Sequence, residues 1–326
     1  MSDPQNPDLS ALSRVFAVIN GKGGVLKTSL AANVGALLAA AGWKVLEIDL
    51  DVSGNLKLDF GLTDDPEDDM GRGLVEAIWY GEKALPVVKD VRTNLDFVFG
   101  GRGLEQLGSL ARSSMVDDLP TGSLAGEFAR ALSEVADDYD LILLDCPPGN
   151  AEIQDMALAV ARWVLIPTKT DQASLDGLRT VGPRVKRARR TNPELRYAGV
   201  VVTAHNPAAT RVLREVRSML SQLGDSVPLM ETTIRHSQTA AFDCRARGQL
   251  AHELARDAES SKSTRLKFLS ARRRSAGGAD NVVELPTALS GTANSLADDY
   301  RHLAKEIREL ITRTETASAS TGRHAR

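Results

Sequence analysis

A glycine-rich run, Asn20-Gly21-Lys22-Gly23-Gly24-Val25-Leu26-Lys27-Thr28-Ser29, stands between an apolar stretch from Val15 to Ile19 and an Ala/Leu-rich stretch from Leu30 to Ala41. Strand, glycine loop and helix in that order are the context of a phosphate-binding loop. A phosphate chain needs backbone N–H groups turned inward around it, and glycines let the backbone curl that closely without a Cβ in the way. The helix that follows offers free N–H groups and the positive end of its dipole. On this reading Gly21 to Ser29 cradle a triphosphate, Lys27 reaches its β- and γ-phosphates, and the Thr28 hydroxyl ligates Mg²⁺. Gly-Gly between apolar runs often marks only a turn. The spacing of Gly21, Lys27 and Thr28 decides for the phosphate loop.

The second lysine, Lys22, gives the pattern Lys-Gly-Gly-x-x-Lys-Thr. It resembles the deviant Walker A loop of the ParA/MinD family, in which the extra lysine crosses to the nucleotide of a partner subunit. The resemblance implies ATP and Mg²⁺ as cofactors and Lys22 as a catalytic residue acting in trans. One position departs from the family pattern: Leu26 stands where the family has glycine, and bears on dimerisation and hydrolysis. Further on, Asp49-Leu50-Asp51-Val52-Ser53-Gly54-Asn55 closes the buried run Lys44 to Ile48. It resembles the family's Asp-x-Asp-Pro-Gln-Gly-Asn switch, with Val52-Ser53 in place of Pro-Gln. The resemblance assigns Asp51 to the attacking water and Asp49 to the Mg²⁺ shell. Two aspartates one residue apart on a strand share a face, at the end where open α/β sheets bind ligands. The apolar run Leu141 to Leu144 ends in Asp145-Cys146-Pro147-Pro148-Gly149. This resembles the family's Walker B segment, whose aspartate, here Asp145, holds Mg²⁺ through water. Cys146 reads as a small buried hydrophobe.

At 326 residues, 42% hydrophobic and 25% charged, the composition is that of an ordinary globular chain. With only 4% aromatic residues the core must be built from Ala, Val, Leu and Ile. A net charge of −3 excludes a chain that is basic all over, so any nucleic-acid surface is a local patch. Two cysteines, Cys146 and Cys244, make no disulfide framework and fit a reducing cytoplasm. No apolar run is long enough to span a bilayer, and the histidines show no metal-ligand spacing.

Apolar strands alternate with helical stretches along the chain. Candidate helices are Leu74 to Tyr80, Leu124 to Val135, Ala151 to Arg162, a stretch ending at Arg190, and Thr210 to Leu223. Candidate strands are Leu95 to Phe99, Trp163 to Pro167, Tyr197 to Thr203 and a short one at Val227 to Met230. The fold class is therefore α/β, a doubly wound, mostly parallel sheet with helices on both faces. The division expected is a disordered leader over 1–13, an ATPase domain over 14–256, a flexible basic insertion over 257–291, a packed helix over 292–313 and a disordered tail over 314–326. In that packed helix Leu296, Tyr300, Leu303, Ile307, Leu310 and Ile311 form an apolar stripe. The acidic loop Asp64 to Asp69 reads as solvated surface.

Cations gather in the C-terminal half: Arg179, Arg184, Lys186, Arg187, Arg189 and Arg190 on one helix, then Arg211, Arg214 and Arg217. Ile234-Arg235-His236-Ser237 resembles a family motif whose arginine contacts DNA in the nucleotide-bound dimer. Arg187, Arg190, Arg211, Arg214 and Arg235 are the candidate contacts, to phosphates and without sequence preference. The resemblance as a whole implies a ParA-type partition ATPase without an N-terminal helix-turn-helix domain. Such an ATPase forms an ATP-dependent homodimer on nonspecific DNA, is stimulated by a ParB-like centromere-binding protein, and is cytoplasmic, nucleoid-associated when ATP-bound. Membrane attachment is not expected, because Asp298, Asp299, Glu306 and Glu309 dilute the positive charge of the last helix. The alternatives are a MinD-like cargo-positioning ATPase, or a slow or non-hydrolysing DNA-binding scaffold in which Leu26 has removed turnover.

Overall fold

The computed structural model describes residues 9–81, 84–111, 113, 123–221, 227–260 and 292–323. Eight strands form one sheet in the order β3-β4-β2-β5-β1-β6-β7-β8. They are β1 (Val15–Val18), β2 (Val45–Asp49), β3 (Val88–Arg92), β4 (Leu95–Val98), β5 (Leu141–Asp145), β6 (Trp163–Thr168), β7 (Arg196–His205) and β8 (Leu229–Arg235). Neighbours pair in parallel except β3 with β4, an edge hairpin turned by Asn94 at φ 62°. The edge strand β3, Val-Lys-Asp-Val-Arg, escaped the sequence reading because its residues are mostly polar and only Val88 is fully buried.

The helices are α1 (Lys27–Ala40), α2 (Leu56–Asp59), α3 (Arg72–Trp79), α4 (Glu105–Leu110), α5 (Leu124–Ser133), α6 (Ala151–Val160), α7 (Gln172–Ala188), α8 (Thr210–Ser221), α9 (Gln238–Arg247), α10 (251–260) and α11 (Ala293–Arg323). Side chains along a strand alternate between faces, so each apolar strand feeds two cores. From β1, Val15 and Ala17 join the core under α3, α5, α6, α7 and α8, while Phe16 and Val18 join the core under α1, α9, α10 and α11. The doubly wound architecture follows directly from near-continuous apolar strands.

Helix α11 crosses the second face. Its stripe Leu296, Tyr300, Leu303, Ile307 and Ile311 is buried, as the spacing predicts. Its Glu306 carboxylate accepts hydrogen bonds from Thr232 N (2.7 Å) and Glu231 N (3.2 Å), occupying N–H groups of the edge strand β8. Arg14 pairs with Glu315 at 2.7 Å, and α11 runs on to Arg323 where a disordered tail from 314 was expected. The leader also differs at its end: Ser10–Leu12 form a 3-10 turn and Leu12 is buried. Residues 257–260 of the expected insertion belong to α10, and 261–291 lie outside the described residues. The acidic loop is only partly solvated, since Lys57 pairs with Asp68 and Asp69 accepts from Gly71 N (2.8 Å) and Gly73 N (2.6 Å). No helix among the described residues is long and apolar enough to cross a membrane.

Candidate functional site

Strands β2, β5 and β1 are adjacent, and in register Asp49 lies beside Asp145 and Asp145 beside Val18. The glycine loop, Asp49 and Asp145 therefore converge at the carboxyl ends of central strands, where open α/β sheets place ligands. The loop is held from behind. Asn20, fully buried, donates from Nδ2 to Pro167 O (2.8 Å) and accepts Lys22 N at Oδ1 (2.8 Å). Thr203 Oγ1 donates to Val25 O at 3.0 Å. A Cβ at Gly21 would lie 2.4 Å from Thr180 Oγ1 and 3.2 Å from Gly177 O, so the glycine lets α7 pack closely against the loop.

Helix α1 begins at Leu26, which provides no side-chain hydrogen bond to the first turn; Ser123, Asn150 and Asp171 do provide one for α5, α6 and α7. First-turn N–H groups have no partner inside their own helix, so this end of α1 is left open to an anion. Leu26 adopts φ 64°, ψ 30°, a left-handed conformation that costs a side-chain-bearing residue about 1–2 kcal/mol. It is half-buried and borders a cavity of about 590 Å³ between α1, α9, α11 and the ends of β6, β7 and β8.

Beneath the loop, Lys27 is buried and its Nζ donates to Lys22 O at 3.2 Å. Burial pushes its pKa down, against the pull of Asp145 and Asp51. Asp145 is buried and both carboxylate oxygens lack a well-formed hydrogen bond. Burial raises its pKa to about 7, with the Thr28 hydroxyl and the Lys27 charge holding it down. A buried acid with open oxygens, next to a threonine hydroxyl and a lysine, fits a Mg²⁺-bearing polyphosphate. Among the described residues no group of three or more His, Cys, Asp or Glu side chains converges to hold a metal by itself.

Asp49 and Asp51 differ in setting. Asp49 is fully buried, and its Oδ1 and Oδ2 accept Asp51 N (2.8 Å) and Leu56 N (3.1 Å), folding the 51–56 loop around it. Strand β2 ends at Asp49, so Asp51 lies beyond the pleat, half-buried, with Oδ1 accepting Ser53 N at 2.9 Å. The expectation treated both as strand residues; strand β2 ends at Asp49, and the turn after it is closed by Gly54 N on Asp51 O at 3.0 Å.

The raised acids have a consequence for stability. A carboxyl whose folded-state pKa exceeds its unfolded value binds its proton more readily when folded. Its contribution is therefore lost as pH rises from about 4 through about 7, the value for Asp145. Asp145→Asn is expected to stabilise the ligand-free protein by roughly 1–3 kcal/mol at about pH 8 and by much less at about pH 5. Urea unfolding at both pH values tests this; an equal effect at both refutes it.

Two buried acids were not read from the sequence. Glu47, in the middle of β2, is fully buried with both oxygens unpaired, and burial beside Asp145 pushes its pKa well up. A Cβ on Gly35 of α1 would lie 2.0 Å from Glu47 Oε1, so the glycine makes room for the acid. Asp59 links Ser29 Oγ (3.3 Å) to Arg245 Nε (3.4 Å). An acid inside an otherwise apolar strand was the visible signal for Glu47.

The candidate DNA contacts divide between the two faces. Helices α7 and α8 cover the first core, with Arg190 and Arg214 exposed. Arg187 lies 3.8 Å from Asp155, and Arg211 lies 3.6 Å from Glu215 while remaining 84% exposed. Arg235 sits on the opposite side, clamped by Asp299 of α11: Nε to Oδ2 and Nη2 to Oδ1, both 2.7 Å, with its backbone N also on Oδ2. The guanidinium that the motif offers to DNA is thus paired with Asp299 in this structure.

Residues 13–197 match the family model described as an AAA domain. The chromosome partitioning protein ParA of Caulobacter vibrioides is 31% identical over 243 residues, 70% of this chain and 84% of that protein. The chain belongs to the ParA/MinD family of P-loop ATPases. In structure it is similar to the McdA of Cyanothece in its apo form (TM-score 0.63, 20% identity, 74% of this chain and 93% of that one). A cobyrinic acid a,c-diamide synthase of Mycobacterium smegmatis, solved with ADP and magnesium, is 25% identical with a TM-score of 0.58, over 72% of this chain and 92% of that one. The deviant phosphate loop and both aspartate-ended strands thus stand in a ParA/MinD framework, with Leu26 as its local departure.

Proposed function

We propose that this chain is a ParA-type partition ATPase that closes as a homodimer over two Mg·ATP and binds DNA without sequence preference only in that state. The observation that carries the reading is the group of Lys27, Thr28 and the open carboxylate of Asp145 under an uncapped α1. Gly21 to Ser29 hold the phosphates, with Lys27 on the β/γ oxygens. Thr28 and, through water, Asp145 hold Mg²⁺, which when bound neutralises charge on the phosphate oxygens. Asp49 acts by folding the 51–56 loop and so placing Asp51 to orient the attacking water. Lys22 reaches the partner's nucleotide. A ParB-like protein stimulates hydrolysis, and the protein cycles between cytoplasm and nucleoid. The left-handed Leu26 favours one second reading, a slow or non-hydrolysing scaffold, which a steady-state phosphate-release assay separates from the first.

The DNA face is that of α7 and α8, where Lys186, Arg190 and Arg214 are exposed. DNA binding is measured with and without Mg·ATP across a salt series. The wild type is expected to bind only with nucleotide, and Arg190→Ala with Arg214→Ala to lower the log–log salt slope by about 2. Arg235→Ala is expected instead to cost about 1–2 kcal/mol of folding stability by releasing Asp299, with little change in slope. Nucleotide-independent binding of equal strength removes the proposal. A slope that responds to Arg235 alone moves the DNA face.

A further inference from the structure

Among the described residues, five other than glycine have a positive φ, and two of them, Leu26 (φ 64°) and Ala204 (φ 49°), border the same cavity. Backbone strain of this kind persists where the surroundings enforce it, and such positions gather at ligand sites. The cavity lies against Ser29 in the first turn of α1, and Ala204, Arg235 and His236 mark the ends of β7 and β8 on its wall. With the outer phosphates of a triphosphate on Lys27, as the phosphate-loop reading has it, the cavity beside Leu26 and Ser29 is space adjoining the loop for the rest of the ligand. The lining is mainly apolar, and Phe242 of α9, 71% exposed, stands on its border opposite α1. With the leucine in place the cavity still holds about 590 Å³, so the side chain forms a wall and does not fill the space.

We infer that Leu26 is a specificity-determining residue: its isobutyl group packs on the nucleoside of the bound nucleotide and gives the site its preference for a nucleoside triphosphate over bare polyphosphate. The inference rests on the phosphate-loop reading above and adds to it a role for the one side chain that departs from the family's loop. The contacts of such a loop to phosphates come from its backbone N–H groups, whereas the Leu26 side chain borders the cavity and is placed to meet the ribose and base. The left-handed strain is then tolerated because the side chain is needed there. It is not the residue of a free-standing turn.

The test is calorimetric titration of the full chain with Mg·ATP and with magnesium tripolyphosphate, for the wild type, Leu26→Ala and Leu26→Gly. Removing an isobutyl group from an apolar wall is expected to lower the ratio of ATP affinity to tripolyphosphate affinity by about tenfold or more. Both variants are expected to behave alike, although only glycine relieves the strain, because the lost contact and not the backbone sets the effect. An unchanged ratio of the two affinities overturns the inference. So does tighter ATP binding in either variant, which would make the leucine an obstruction. If the wild type binds neither ligand, the phosphate-loop reading itself fails, an outcome distinct from binding both with a ratio that ignores Leu26.

Discussion

Lys27→Ala is expected to lower the affinity for Mg·ATP by at least about 100-fold, since removing one partner of a desolvated charge pair costs about 2–5 kcal/mol. In the ligand-free protein the Lys27 ammonium is buried, donates to Lys22 O at 3.2 Å, and has its pKa pushed down by desolvation. That burial disfavours the free state and is relieved when phosphate oxygens arrive, so the lysine's favourable interactions are concentrated in the complex. A second effect adds to the first. Lys27 helps hold the Asp145 carboxyl down near 7, and without it Asp145 stays protonated to a higher pH and is a poorer partner for magnesium. The variant is expected to fold normally, because the change removes a charge that burial disfavours in the ligand-free protein. Calorimetric titration with Mg·ATP checks the loss, and thermal unfolding checks the fold. Retained micromolar binding in a folded variant removes the assignment of this loop.

The features legible in the sequence were those fixed by local chemistry. Glycine spacing, two lysines and aspartates at strand ends placed the loop, β2 and β5, because each feature is confined to a few neighbouring residues. Alternation of apolar strands and helices fixed the layering, and the side chains of β1 are split between the two cores as that pattern requires. What escaped was set by partners distant in sequence. Arg235 looks like a free cation beside His236 and Ser237, and only the fold brings Asp299, 64 residues later, into its fork. The basic residues of α7 and α8 and the motif at the end of β8 read as one cluster, whereas the sheet separates them, since those helices cover one face and α9 and α11 the other. Asp49 and Asp51 read as strand neighbours, but β2 ends at Asp49, whose carboxylate captures two backbone N–H groups of the loop that follows. Glu47 could be suspected from its apolar surroundings, yet its accommodation depends on Gly35 across the layer.

Lys22→Ala is expected to reduce ATP turnover by at least about 100-fold while moving the affinity for Mg·ATP by less than about threefold. The two lysines of the loop occupy different settings. Lys27 is buried under the loop, whereas Lys22 is half-buried, its backbone pinned by Asn20 Oδ1 at 2.8 Å. Its charge reaches Asp171 at the start of α7, whose carboxyl it helps hold below the usual range. A cation fixed at its base and close enough to Asp171 to act on that carboxyl contributes little to a triphosphate on its own loop. Across a closed dimer it can meet charge that grows as the γ-phosphate departs, which raises turnover without tightening the ground state. The decisive arrangement is a mixture. Lys22→Ala and Asp51→Ala homodimers are each expected to be inactive. A heterodimer, however, keeps one site with an intact Asp51 and a lysine from the other subunit, so mixing the two preparations should restore measurable phosphate release. If mixing restores nothing while each variant still binds ATP and dimerises, the lysine acts within its own subunit. If Lys22→Ala alone leaves turnover unchanged, the lysine takes no part in hydrolysis.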